Sequence, residues 1–326
     1  MRRPTFPRGK RFAFSIFDDT DVATLESIRP IYDCLHELGI RTTKSVWGKG
    51  HDGPSDYRGS HTLDDAAYAD YTRELHRRGF EIGFHGATME SARRSEIEQA
   101  LATFERVVGS PPSIYAAHGM NRDNLYWGVE RLAFAPTRSF YALLKGEPRG
   151  YFQGQDPRSE YFWGDLAQQS LKYVRSFTFA VPDLLALGLP LVYRRKDTPY
   201  VRSWFLSSDA ENVEEFNALL DTRAQETLES GSGLCIVSTH FGKGFVERGR
   251  LHPETQRLLR ELAARDGWFA PVGEILDHYV AEVGCPELSG FRLLALELAW
   301  LRDSLRRRRS ARAYKATELD YLRPAP

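Results

Sequence analysis

Residues 12–21 read FAFSIFDDTD. Five of the first six side chains are apolar, enough for one buried strand, and the run stops at adjacent carboxylates, Asp18 and Asp19, with a third at Asp21. Side chains alternate along an extended chain, so neighbouring acids at a strand end can point different ways. One could hold a metal while the other moves a proton. The plainer alternative is that Asp19 or Asp21 caps the helix that follows.

Outward from this stretch the chain repeats a strand-then-helix rhythm. Strands are predicted at 12–17, 40–47, 81–84, 113–117, 233–239 and 268–272, and helices at 22–38, 64–78 and 96–108. Gly39 and Gly79 are placed to end the first two helices. Alternating strands and helices imply an α/β fold on a parallel sheet, open or closed into a barrel. The middle, 134–232, shows no regular pattern, and no internal repeat is evident.

Composition narrows the function. The 326 residues suffice for one large domain, and Lys+Arg and Asp+Glu are both 44, so no global field draws nucleic acid. Cys34, Cys235 and Cys285 are too scattered for a disulfide framework or thiolate zinc site. The basic start, MRRPTFPRGK, precedes an apolar run too short for a signal-peptide core, and no segment approaches a membrane span. A cytoplasmic protein is expected.

Asp18/Asp19, His85, His118 and His240 each stand at or just past the C-terminal end of a predicted strand. In parallel α/β folds that edge carries ligands and chemistry. The other six histidines read as ordinary: His36, His76 and His278 in helical patterns, and His51, His61 and His252 in polar loops.

With FDDTD at 17–21, EIGFHGAT at 81–88, IYAAHGMN at 114–121, IVSTHFG at 236–242 and WFAPVGEIL at 268–276, the chain resembles the polysaccharide deacetylase superfamily over about 12–280. The resemblance implies a distorted (β/α) barrel that removes acyl groups from amino sugars with a divalent metal. It also implies Asp18 as catalytic base, Asp19 and His85 as metal ligands, and His240 as general acid. Two motifs depart from the family. Met89 stands where a second metal-binding His is usual, and Tyr115-Ala116-Ala117-His118-Gly119 stands in place of Arg-Pro-Pro-Tyr-Gly. Thioether is a poor ligand for a hard ion. His118 is therefore read as a relocated ligand completing an Asp19/His85/His118 set, which suits Zn²⁺ with an open position; otherwise the metal is lost and His118 binds substrate.

The expected activity is metal-dependent deacylation, most simply deacetylation, of an N-acylated amino sugar, such as a nucleotide- or lipid-linked precursor of a surface glycan. The alternatives are hydrolysis of a small amide and a catalytically silent carbohydrate-binding protein. Asn121 and, in the aromatic segment 134–165, Trp163 and Asp165 are candidates for substrate binding, against the alternative that the aromatics pack an insertion onto the barrel. The basic stretch 194–204 reads as a solvated face. Residues 1–286 are assigned to the barrel and 287–326 to a helical tail. There Phe291, Leu294, Leu298, Leu301 and Leu305 recur at helical spacing ahead of Arg306–Arg309. This helix is expected to pack on the barrel or another subunit, with the surface of an anionic membrane as the weaker alternative.

Overall fold

A computed structural model describes residues 3–52, 60–146 and 149–311, the last four of these as backbone only. In chain order the first eight strands are β1 Phe12–Asp18, β2 Thr43–Trp47, β3 Glu81–Gly86, β4 Ile114–Tyr115, β5 Tyr173–Phe179, β6 Val192–Tyr193, β7 Trp204–Asp209 and β8 Leu234–Thr239. All but β6 run parallel, each beside the next, and β8 returns to β1, so seven strands close a barrel. β6 pairs antiparallel with β7 at Trp204 and Phe205, ahead of Ser208 and Asp209, where β7 meets β8. A small hairpin, β9 Val246–Glu247 and β10 Arg250–Leu251, follows β8. Last comes β11, Gly267–Phe269.

The barrel is distorted at β1. One edge pairs with β8 from Ala13 to Asp18, while the other is divided: β11 takes Phe12 to Phe14 and β2 takes only Phe17 and Asp18. The β1–β8 register sets Asp18 opposite Thr239, and the Asp19 amide donates to the Thr239 carbonyl at 2.8 Å. Asp19 and His240 thus leave the barrel side by side.

Ten helices are described: α1 Leu25–Glu37, α2 Ala66–Arg77, α3 Arg94–Val108, α4 Ala135–Lys145, α5 Gly164–Ser170, α6 Val213–Leu219, α7 Thr222–Ser230, α8 Pro253–Ala263, α9 Val272–Val283 and α10 Gly290–Ala311. α1 starts three residues later than its apolar pattern suggested. Thr24 is the cap: its hydroxyl accepts from the Ser27 amide at 3.3 Å, and the Ser27 hydroxyl accepts from the Thr24 amide at 2.9 Å. Neither Asp19 nor Asp21 caps it. The middle of the chain, which showed no regular pattern, supplies α4 to α7 and the strands β5, β6 and β7, of which β5 and β7 are barrel walls.

The tail helix packs on the barrel through a face that shares only Leu301, and the half-buried Leu294, with the expected one. Leu293, Leu296, Trp300 and Leu301 are buried, whereas Phe291, Leu298 and Leu305 face outward. The pattern misled because a buried carboxylate sits in the packed face. Glu297 accepts from the Ala133 amide and the Thr137 hydroxyl, each at 2.5 Å, and so caps the start of α4. Further along, Asp303 accepts from the Ala180 amide at 3.2 Å, and Arg307 reaches Asp209 and the Thr178 carbonyl. Among the described residues no helix is long and apolar enough to cross a membrane.

Glu297→Ala strands the partly buried Ala133 amide, while the Thr137 hydroxyl keeps the Phe134 carbonyl at 2.9 Å. The substitution should lower unfolding free energy by about 1–3 kcal/mol; an unchanged urea midpoint would show that α10 is not held by this carboxylate.

Candidate active site at the barrel mouth

The adjacent acids do part company, because they lie on opposite faces of β1. Phe17 points into the barrel, its ring 6.2 Å from Phe205 across the interior. Asp18, one residue on, points out into the layer between sheet and helices. There the Tyr32 hydroxyl donates to its Oδ2 at 2.9 Å, Lys44 Nζ lies 3.1 Å from the same oxygen, and the Phe241 amide donates to Oδ1 at 2.9 Å. Asp18 and Lys44 are both buried. Burial pushes the Asp18 carboxyl above its ordinary value, against the opposing pull of Lys44 and the Phe241 amide. This corrects the expectation of a catalytic base at Asp18: Tyr32 of α1, Lys44 of β2 and the Phe241 amide take up its oxygens outside the barrel.

Asp19 follows Phe17 in parity and faces the interior. Arg175 from β5 grips it with two bonds, Nη1 to Oδ1 at 2.9 Å and Nη2 to Oδ2 at 2.6 Å, and Nη1 also donates to Ser238 at 2.6 Å. Burial raises its carboxyl, but Arg175, then His85 and His240, hold it below the usual range. The expected metal ligand is thus bound to a guanidinium. An arginine does serve this rim, from β5 instead of the 115–119 segment.

The centre of the mouth is Asp21. Its Oδ1 lies 3.2 Å from His85 Nε2 and 3.7 Å from His118 Nε2, and its Oδ2 lies 3.1 Å from His240 Nε2. Burial would raise this carboxyl; the imidazoles of His118 and His85 and the hydrogen bonds from His240 and His85 hold it well below the ordinary value. A sharp turn delivers it. Val22 has φ +51°, a left-handed conformation unfavourable for a β-branched residue. The turn also presses on Gly242, where a Cβ would come within 2.6 Å of the Val22 carbonyl oxygen. The glycine after His240-Phe241 is required by that approach.

Each imidazole is held in place. His118 Nδ1 lies 3.0 Å from Asn121 Oδ1, while Asn121 Nδ2 donates to the carbonyls of Thr88 at 3.1 Å and Glu90 at 2.9 Å. Asn121 is therefore a positioning residue for His118 with its amide fully engaged, which corrects the expectation that it binds substrate. His240 Nδ1 lies 2.9 Å from the Glu211 carbonyl oxygen. Burial lowers its pKa, but the Glu211 carboxylate and Asp21 outweigh that and Lys243, and it is pushed up to about 9. His85 is buried, which lowers its pKa and favours neutral imidazole, and its Nδ1 has no hydrogen-bond partner among the described residues. Trp47 stands edge-on to both His85 and His118, with centroids 4.7 and 5.2 Å apart.

Two other expected residues lie elsewhere. Trp163 is buried against Phe84 and Tyr115, its indole N–H donating to the Asp123 carbonyl at 2.6 Å. Asp165 pairs with Arg94 at 2.7 and 2.9 Å on the outer surface of α5. Neither reaches the histidine cluster: the aromatics pack the segment onto the barrel. Sequence reasoning missed Asp21, Arg175 and Trp47. For Asp21 the signal was its even spacing from Asp19; Arg175 lay in the unassigned middle.

Among the described residues no group of three or more His, Cys, Asp or Glu side chains forms a ready metal centre; these donors hydrogen-bond one another. The donor chemistry nevertheless fits a divalent ion. Asp21 is ionised, His85 is favoured neutral, and His118 turns Nε2 inward while Asn121 fixes Nδ1, the outer-shell support typical of metal-bound imidazole.

No known family's sequence profile matches the chain, and no curated protein does. Solved structures share its fold. A provisionally named polysaccharide deacetylase from Mycobacterium smegmatis is 15% identical with a TM-score of 0.54, covering 89% of this chain and 97% of that one. The Puue allantoinase is 13% identical with a TM-score of 0.51, covering 87% and 95%. The distorted seven-stranded barrel is the fold of the polysaccharide deacetylases.

Lys44→Ala leaves the Asp18 carboxyl buried without its cation and should cost about 3–5 kcal/mol of stability. Asp18→Asn combined with Lys44→Met should recover most of it. Chemical denaturation decides: equal losses in the single and double variants would contradict the pairing.

Proposed function

We propose that this chain is a metal-dependent amide hydrolase that removes an N-acyl group from an amino sugar. The observation that carries the proposal is the convergence of three imidazoles on Asp21 at the C-terminal rim of a parallel barrel, beside a second carboxylate clamped by arginine. Asp21, His85 and His118 would hold the ion, with Zn²⁺ the best match for one carboxylate and two imidazoles. When bound, it would supply the positive charge that acidifies a water and polarises an acyl oxygen.

The chain's own groups divide the remaining work. Asp19, kept ionised and oriented by Arg175, accepts the proton of the attacking water. His240, held by the Glu211 carbonyl and with its pKa pushed upward by the Glu211 and Asp21 carboxylates, gives its proton to the departing nitrogen. Base and ligand are thus each moved along the chain relative to the family pattern: Asp19 for Asp18, and Asp21 for Asp19. The same machinery would serve a small amide, a reading favoured by the shared fold of the allantoinase. Purified protein analysed for bound metal, then assayed on acetylated amino sugars and small cyclic amides, separates the readings. Absence of both metal and hydrolysis would leave the silent carbohydrate-binding alternative.

Asp21→Asn and His85→Ala should lose metal and turnover together, whereas Asp19→Asn should keep metal and lose turnover. Metal retained in Asp21→Asn would return the ligand role to Asp19. For pH, kcat/KM should rise as pH passes upward through the lowered Asp19 value and fall through that of His240, which a bound cation would bring below 9. His240→Ala should cost about 10²–10⁴-fold on an amide and far less on an activated ester. Equal losses on both substrates would reduce His240 to a structural role.

A further inference from the structure

The tail helix leaves an apolar face uncovered. Phe291, Leu298 and Leu305 are 84%, 52% and 36% exposed. Spaced by seven, they stay within roughly 40° of one another around the helix. The charges on α10 are segregated. Its two acids turn inward, Glu297 to the Ala133 amide and Thr137, and Asp303 to the Ala180 amide and Arg307. Among its described side chains the exposed charges are Arg292, Arg302 and Arg306.

We propose that the outer face of α10 docks on an anionic membrane surface, with Phe291, Leu298 and Leu305 entering the headgroup boundary and Arg302 and Arg306 meeting acidic lipid. Charge selects this occupant. A second copy packed face to face would bring Arg302 against Arg302 while both acids of α10 are turned inward, whereas an anionic leaflet complements both the apolar residues and that cation. The docked helix also ends at the mouth. Ala180 follows β5 and Asp209 closes β7, so the contacts of Asp303 and Arg307 place the basic end of α10 at the rim that carries the histidines. An amphiphilic substrate held in the same leaflet would lie within reach of that rim.

The test is sedimentation of the full chain with vesicles of phosphatidylcholine alone, and of phosphatidylcholine and phosphatidylserine in equal parts. Binding is expected to the mixed vesicles only and to weaken with salt. It should disappear in F291S/L298S/L305S and fall about fivefold in Arg302→Ala. All four positions are exposed, and near-ultraviolet circular dichroism should confirm an unchanged barrel; if the triple variant misfolds, Arg302→Glu, which should abolish binding to mixed vesicles, decides alone. Absence of binding to mixed vesicles, or binding that survives these substitutions, overturns the proposal. Self-association removed by the triple variant without vesicle binding overturns it in favour of a second copy.

Discussion

Alternation of side chains across β1 separates two carboxylates that are adjacent in sequence, and the rest of the site depends on it. With Phe17 fixed in the barrel interior, Asp18 must enter the helix layer and Asp19 the mouth. The outward acid needs a buried cation and finds it in Lys44 of β2; the inward acid needs another and finds Arg175 of β5. Both pairs are buried, so removal of either cation would leave a charge in a poorly solvated place. The Asp21–Val22 turn then brings the third acid back over the barrel, a path that Gly242 leaves open.

This arrangement makes the histidines a unit although they are scattered over more than 150 residues. Their strands end at the same rim, and each ring is fixed by a different device: an amide for His118, a carbonyl for His240, and an indole edge for His85. Trp47 reaches the rings because the β2–β3 register shifts between Val46 and Trp47, bringing Trp47 opposite Gly86. Gly86 itself has φ +142°, and a Cβ there would lie 3.1 Å from the indole.

Most of the barrel was legible because β1, β3 and β8 are apolar runs with abrupt polar ends, and because Gly39 and Gly79 mark helix ends. The strand-end histidines were legible for the same reason. The middle was not: β5 reads YVRSFTF, and Arg175 inside it looks like a break in an apolar pattern until Asp19 is placed opposite. Parity along β1 could not be read either, since Phe12, Phe14, Ile16 and Phe17 are apolar on both faces and leave the direction of Asp18 undetermined. In α10 the buried Glu297 hid the packing face, so Phe291, Leu298 and Leu305 were grouped with Leu294 and the buried Leu301 as one apolar side.

The central claim is that Asp21, not Asp18, anchors the chemistry. It is tested most directly by titrating the protein with Zn²⁺ while following the ring nitrogens of ¹⁵N-labelled histidine by NMR. The account predicts that the Nε2 signals of His85 and His118 shift in the native chain and stay unchanged in Asp21→Asn. Shifts that persist in Asp21→Asn and vanish in Asp18→Asn would contradict it.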